Sequence, residues 1–471
     1  MQPLDEARAY RDSVGPAILH SFAELLAIPN VAAMPGGIDR NAIWIRDELM
    51  RRGARSAVTQ LPGAAPIVFG RIDGEPGGPT IGFYAHFDGQ PADDLAWTDP
   101  PFTPTLRTRS IEEGGTAIPW PSPGEPVDPE WRIYARGSAD DRGAIAALLG
   151  ALDARQGRRP HSSLVFLLEG EEEIGSPHLG EYLSLLADRL IADIWVICDG
   201  PVHQSGRPQV VFGARGIADV EITVFGPSGD LHSGHYGNWA PNPAALLADL
   251  VAGMRDERGV PAIDGLEVPA PQAAAAKAAS LVPIPGDLGF PVPDGPSLWE
   301  RNLWPLLNVR GLRAGDVGEA SRNVVPRSAV ASLDLRLVAG QDPVAVIEAI
   351  RGHVAARGFH LVDGPPDAAT RRSHRRIAMV AGRPSYPGVL TPVDHPAAEG
   401  ILAAVEAAAG EAPIVVPSSG SSMPLHHLER LGAPLVIVPI ANHDNHQHGP
   451  DENMRVANLW YGIDLVAALL G

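Results

Sequence analysis

Five apolar residues in a row, Leu164 to Leu168, run without a break into Glu169, Gly170, Glu171, Glu172 and Glu173. An uninterrupted apolar run of this length is the pattern of a strand buried on both faces, which calls for a mainly parallel sheet with helices above and below it. Four carboxylates within five positions at the end of that strand repel one another, so an enclosed strand end needs compensating charge close by. Taken alone, an acidic run is most often a solvated turn. It becomes a site only where other ligand-type side chains reach the same place.

Other strand ends supply them. Thr80 to Ala85 reads as a strand that ends in His86-Phe87-Asp88, and because side chains alternate along a strand, His86 and Asp88 project to the same side. A further apolar strand, Ile194 to Cys198, ends in Asp199. Asp140 stands just ahead of the helical run Ala144 to Leu152, and the strand Leu435 to Pro439 leads to Asn442-His-Asp-Asn-His-Gln-His448. Helical spacing also recurs at Ala7 to Ile28, Asn41 to Arg52 and Ala397 to Ala409. Strand and helix patterns therefore alternate, the signature of an α/β fold whose mainly parallel sheet is covered on both faces. Sheets of this kind bind ligands in the crevice outside the carboxyl ends of their strands.

The middle of the chain has a different character. Val220 to Phe225 alternates like a half-buried antiparallel strand, Leu333, Leu335 and Leu337 line one face of another, and Asp342-Pro343 opens a helix with a good cap. With 471 residues the chain is long enough for two or three domains. The patterns divide it into residues 1–213 and 385–471, two parts of one catalytic domain, and 214–384, an inserted α+β lid or dimerisation domain. Trp97 to Trp131, rich in Pro and Gly and without a period, reads as a long surface loop, and Pro261 to Pro296 carries no readable element.

Imidazole and carboxylate ligands together suit zinc, with manganese or cobalt as alternatives. Two His with at least three carboxylates suffice for two ions that share a carboxylate and exceed what one four-coordinate ion needs. A net charge of -19 argues against a nucleic acid or an anionic membrane as partner. The one cysteine, Cys198, excludes an internal disulfide, and neither a secretion signal nor a long apolar span is visible, so the expectation is a soluble cytoplasmic protein.

The motifs His86-Phe-Asp-Gly-Gln-Pro91, Ala135-Arg-Gly-Ser-Ala-Asp-Asp-Arg-Gly143, Glu169-Gly-Glu-Glu-Glu-Ile-Gly-Ser176 and Asp230-Leu-His-Ser-Gly234 stand in this order along the chain. Together they resemble the M20 metallopeptidases and, within them, the carnosinase-like dipeptidases. The resemblance implies two metal ions, with His86 and Asp199 on one, Glu173 and His448 on the other, and Asp140 bridging both; it also implies a cis bond between Asp140 and Asp141. It implies Glu172 as general base, Asp88 as the residue that orients His86, and His232 as a residue that reaches the neighbouring subunit's site in a homodimer. Asn323, Arg336 and Ser422 match substrate-contacting positions, and Arg336 is suited to grip a carboxylate in a bidentate fork. The activity implied is metal-dependent hydrolysis of the amide bond of a dipeptide or similar small amide. Ser418-Ser419 stands where dipeptidase relatives commonly carry Arg-Glu, and that departure motivates a second reading, an N-acyl or N-carbamoyl amino acid as substrate of the same centre.

Overall fold

The structure is a computed structural model that describes residues 3–31, 34, 36–92, 96–270, 273–282, 289–421 and 423–471. Its main sheet has eight strands in the order Arg55–Thr59, Ile67–Ile72, Ser163–Glu169, Thr80–His86, Ile194–Ile197, Leu435–Ile437, Gln209–Val211, Ile414–Val416. The four central strands, from Ser163–Glu169 to Leu435–Ile437, pair in parallel. Antiparallel pairs appear only towards the edges. Every residue of Ser163–Glu169 and of Ile194–Ile197 is buried, which is why their sequences show no alternation.

The strand that leads into the acidic elbow feeds two cores at once. Leu164, Phe166 and Leu168 pack with the helices Pro3–Leu26, Gly37–Arg51, Arg142–Ala154, Pro396–Ala409 and Val456–Leu470. Val165 and Leu167 point the other way, towards Leu179–Leu186 and His426–Glu429. Helices on both faces follow from this two-sided burial.

Residues 216–386 build a second sheet of five strands, in the order Leu306–Ala314, Ser328–Leu337, Gly216–Phe225, Ile377–Tyr386, His360–Leu361, antiparallel except for the last pair. Ser328–Leu337 alternates strictly between buried and half-buried positions, with Leu333, Leu335 and Leu337 inside. The helices Pro243–Ala252 and Pro343–Ala356 cover that inner face, each started by a side chain, Asn242 or Asp342, that accepts backbone N–H groups of the first turn.

Trp97–Trp131 is not a structureless loop. Thr105–Arg107 and Ala117–Ile118 pair with each other and extend Arg132–Tyr134 and Asn453–Arg455 into a four-stranded sheet. Strands of two or three residues are too short for a period to register. Part of the unread stretch Pro261 to Pro296 forms the helix Ala273–Leu281. Among the described residues no helix is long and apolar enough to cross a membrane.

Candidate metal centre

Parallel pairing puts the carboxyl ends of the central strands along one edge, and Cα register sets His86 beside Glu169. His86 closes its strand, Glu172 and Glu173 follow Ser163–Glu169 in a single 3-10 turn, and Asp199 follows Ile194–Ile197. Asp140 arrives from the turn ahead of Arg142–Ala154 and His448 from the turn beyond Leu435–Ile437. The ligand atoms of His86, Asp140 and Asp199 all lie within 4.8 Å of one another, and so do those of Asp140, Glu173 and His448. Asp140 belongs to both groups. Its Oδ1 is 3.0 Å from His86 Nε2 and its Oδ2 2.9 Å from His448 Nε2. Asp199 Oδ2 stands 4.0 Å from His86 Nε2, and Glu173 Oε2 stands 3.3 Å from His448 Nε2. The Asp140–Asp141 peptide is cis.

Two buried carboxylates hold this arrangement from behind. Asp88 accepts the backbone N–H of Glu172 on Oδ1 (3.1 Å) and of Glu173 on Oδ2 (3.0 Å), while its Oδ1 lies 3.4 Å from His86 Nδ1. One side chain thus fixes both the acidic turn and the imidazole, more than the sequence suggested for it. Glu452, fully buried, accepts Ala139 N (2.9 Å) and Asp140 N (3.0 Å) on Oε1, and Gly137 N (3.0 Å) and Arg136 Nη1 (2.6 Å) on Oε2. The sequence assigns no role to Glu452 or Arg136, because nothing in Gly449-Pro-Asp-Glu452 marks a carboxylate as buried. Glu452→Gln puts an NH2 group against backbone donors that need an acceptor. It is expected to weaken divalent-cation binding about 10–100-fold, read by competition with a chelating dye; unchanged affinity would remove Glu452 from this role.

The description Peptidase family M20/M25/M40 belongs to the family model that matches residues 82–471. The chain belongs to the M20 peptidase family. It is 24% identical to the Cys-Gly metallodipeptidase dug1 of Schizosaccharomyces pombe over 425 residues, 85% of this chain and 81% of that protein. It is 23% identical to the Beta-Ala-His dipeptidase of Homo sapiens over 506 residues, 99% of this chain and 92% of that protein. Its fold superposes on the M20 family metallo-carboxypeptidase Sso-CP2 from Sulfolobus solfataricus with a TM-score of 0.72 at 25% identity, covering 96% of this chain and 98% of that one. The chain is a metallohydrolase.

The electrostatics of this M20 peptidase test whether cations fit. Burial, with Asp140 and Glu173 adding to it and His86 and His448 opposing, pushes the Asp199 carboxyl up to about 7. Burial likewise pushes Glu172 well above the usual carboxylate range, helped by Asp199 and Glu173. Hydrogen bonds to Asp140 and then Glu173 raise His448 to about 10, and burial works against the charge on His86 but is outweighed by its bonds to Asp140 and Asp88. Asp140 Oδ2 is buried, with His448 Nε2 at 2.9 Å beside it. Two enclosed acids that would rather hold protons, Asp199 and Glu172, beside a buried carboxylate set between two imidazoles, are a donor set that divalent cations satisfy.

A pH signature follows. Asp199 and His448 both have folded-state pKa values raised above their ordinary ones. At these two sites the metal-free folded chain therefore holds more protons than the unfolded chain, and their contribution to its stability falls as pH rises from about 5 to 9. Cations require deprotonated ligands, so the gap in Tm between cation-loaded and chelated protein is expected to widen with pH. Thermal scans at several pH values with and without chelator check this; a constant gap would contradict it.

The remaining sequence-derived candidates lie on the second sheet's side. His232 is exposed, its Nδ1 accepts Gly234 N at 3.1 Å, and its ring sits 4.8 Å from that of His235. Asn323 is exposed on the neighbouring turn, where its carbonyl accepts Ser233 N at 2.9 Å. Arg336 is half-buried on Ser328–Leu337 with Nε 3.4 Å from Asp334 Oδ1. Ser422 lies outside the described residues. Asp140, Glu172, Glu173, Asp199 and His448 line one cavity, and His232, Asn323 and Arg336 are not among its lining residues.

Proposed function

We propose that this M20 peptidase cleaves the amide bond of dipeptides and similar small amides, releasing an amino acid, with two divalent cations held between its strand ends. The observation that carries the reading is Asp140, shared by two groups of ligand atoms. His86 and Asp199 would hold one ion and Glu173 and His448 the other, with Asp140 between them; the mixed imidazole and carboxylate set suits zinc, with manganese or cobalt as alternatives. Bound ions of this kind polarise a scissile carbonyl and lower the pKa of water to near neutrality. Glu172 takes the proton from the attacking water and delivers it to the departing amine nitrogen. Asp88 keeps Glu172 and His86 in place. Arg336 binds the carboxylate of the leaving amino acid in a bidentate fork, and Asn323 and Ser422 contact the substrate. The names of the fission-yeast and human relatives, both dipeptidases, support the substrate class. The single cysteine suits a reducing compartment, the cytoplasm.

Exhaustive chelation followed by titration with zinc, manganese or cobalt tests the reading, with Cys-Gly, β-Ala-His and Leu-Gly as substrates. Activity is expected to vanish and return. Undiminished hydrolysis after chelation, or none of any amide in the loaded protein, would overturn it.

A second reading uses the same centre on N-acyl or N-carbamoyl amino acids. What favours it is that the described cavity wall offers no acid beyond the cluster itself to pair with a free ammonium, with Ser419 lining it instead. Comparing Leu-Gly with N-acetyl and N-carbamoyl amino acids separates the two.

His232 enters through a homodimer in which the lid, residues 214–384, pairs with its twin and offers the ring as a hydrogen-bond donor to the carbonyl oxygen in the opposite site. His232→Ala is expected to lower kcat about 10²–10³-fold. Mixed with the inactive Glu172→Gln protein in equal amounts, it should recover about a quarter of wild-type activity, since half of randomly formed dimers carry one complete site. No recovery would argue against sharing.

A further inference from the structure

We propose that the cavity running from the acidic cluster along the main sheet receives an uncharged, aliphatic side chain of the substrate residue on the acyl side of the scissile amide. The inference rests on the amidase reading above and narrows its substrate class. The cavity has a volume of about 260 Å³, smaller than the roughly 300–1,000 Å³ of sites that enclose drug-sized ligands. That is room for one residue beside the reacting bond.

Part of its wall is apolar: Val211, Met423, Ile437 and Pro439 line it. Val211 and Ile437 are Cα partners on adjacent antiparallel strands, 5% and 4% exposed, so their side chains stand together on one face of the sheet. Three polar side chains of the wall, Gln209, Ser419 and Ser421, have partners within the chain, and Gln447 lines it as well. Gln209 donates its amide to Pro201 O at 2.9 Å, the hydroxyls of Ser419 and Ser421 bond to each other, and Ser421 N donates to Ser419 Oγ at 3.1 Å. Among the described lining residues the only charged or titratable groups are Asp140, Glu172, Glu173, Asp199 and His448, which are committed to cations and to proton transfer. A charged side chain entering here finds no partner, and an unpaired charge taken out of water is far more costly than the loss of hydration around a methyl group. An aliphatic side chain gains from leaving water. Arg336 belongs to the other sheet and is not part of this wall. A substrate gripped there by its amine-side carboxylate therefore turns its acyl side towards the cavity.

The test is a panel of X-Gly dipeptides with X as Leu, Met, Gly, Lys or Asp, assayed on cation-loaded protein. kcat/KM for Leu and Met should exceed that for Gly about tenfold or more, within the range one or a few methylenes command in an apolar site, and should exceed Lys and Asp about 100-fold. Met423→Glu, on a half-buried wall residue, should raise the ratio of Lys-Gly to Leu-Gly at least about tenfold, a switch that general destabilisation does not produce. Equilibrium binding of Leu-Gly and Lys-Gly to cation-loaded Glu172→Gln reads the same preference without turnover. Hydrolysis indifferent to X, or a Lys:Leu ratio unmoved by Met423→Glu, overturns the cavity assignment while leaving the amidase reading intact. If the loaded protein neither hydrolyses nor binds any amide in the panel, both fall together.

Discussion

Glu172→Gln is expected to lower kcat for dipeptide hydrolysis by roughly 10²–10⁴-fold while the protein keeps its full complement of cations. Glu172 lines the same cavity as the ligands yet belongs to neither group of converging ligand atoms. Its backbone N–H is fixed by Asp88 Oδ1 at 3.1 Å, so the side chain leaves the turn in a set direction. Burial raises its pKa well above the usual carboxylate range, and a carboxylate with raised basicity is what a proton carrier between water and an amine needs. Glutamine keeps the size and the turn but cannot take up the proton. Glu173→Ala makes the contrast, because Glu173 Oε2 is 3.3 Å from His448 Nε2 within the second ligand group; that variant should lose cation as well as rate. Metal analysis beside steady-state kinetics reads both. If Glu172→Gln loses cation, or turns over at the normal rate, the two neighbours have been assigned the wrong way round.

The parts of this centre that the sequence revealed are those tied to parallel strands. A strand buried on both faces has to be apolar throughout, so the abrupt change at Glu169 and at Asp199 marks a carboxyl end, and parallel pairing brings such ends to one edge. Asp140 and His448 sit on turns; the helical run Ala144 to Leu152 and the strand Leu435 to Pro439 put them near that edge, and the motif resemblance implied their roles as ligands. Contacts between segments far apart in the chain left no such trace. Glu452 reaches three backbone amides and a guanidinium more than 300 residues away, and a turn acid that does this looks in sequence like one that faces water. The small sheet that ties Thr105–Arg107 to Arg132–Tyr134 and Asn453–Arg455 was hidden for a related reason, since three residues are too few for alternation to register. The edges of the main sheet add a third case: Ile67–Ile72 runs antiparallel to Ser163–Glu169, and an apolar strand carries no mark of its direction.

Asp140→Ala is expected to strip both cations and bring hydrolysis to background, a larger effect than the loss of any other ligand. The reason is its position: Oδ1 and Oδ2 face different imidazoles, His86 at 3.0 Å and His448 at 2.9 Å, so one side chain completes both groups. Removing it leaves His86 with Asp199 on one side and Glu173 with His448 on the other, two donors each, fewer than the three protein ligands a catalytic zinc ordinarily keeps. It also leaves the amides of Ala139 and Asp140 aimed at Glu452 with nothing to position. His448→Ala, by comparison, breaks only the second group, and is expected to retain one tightly bound ion per chain. Calorimetric titration of metal-free protein distinguishes the cases by counting sites: none of high affinity in Asp140→Ala, one in His448→Ala. An Asp140→Ala protein that still binds one ion with wild-type affinity would make Asp140 the ligand of a single ion, and the shared-carboxylate centre from which the amidase reading starts would have to be given up.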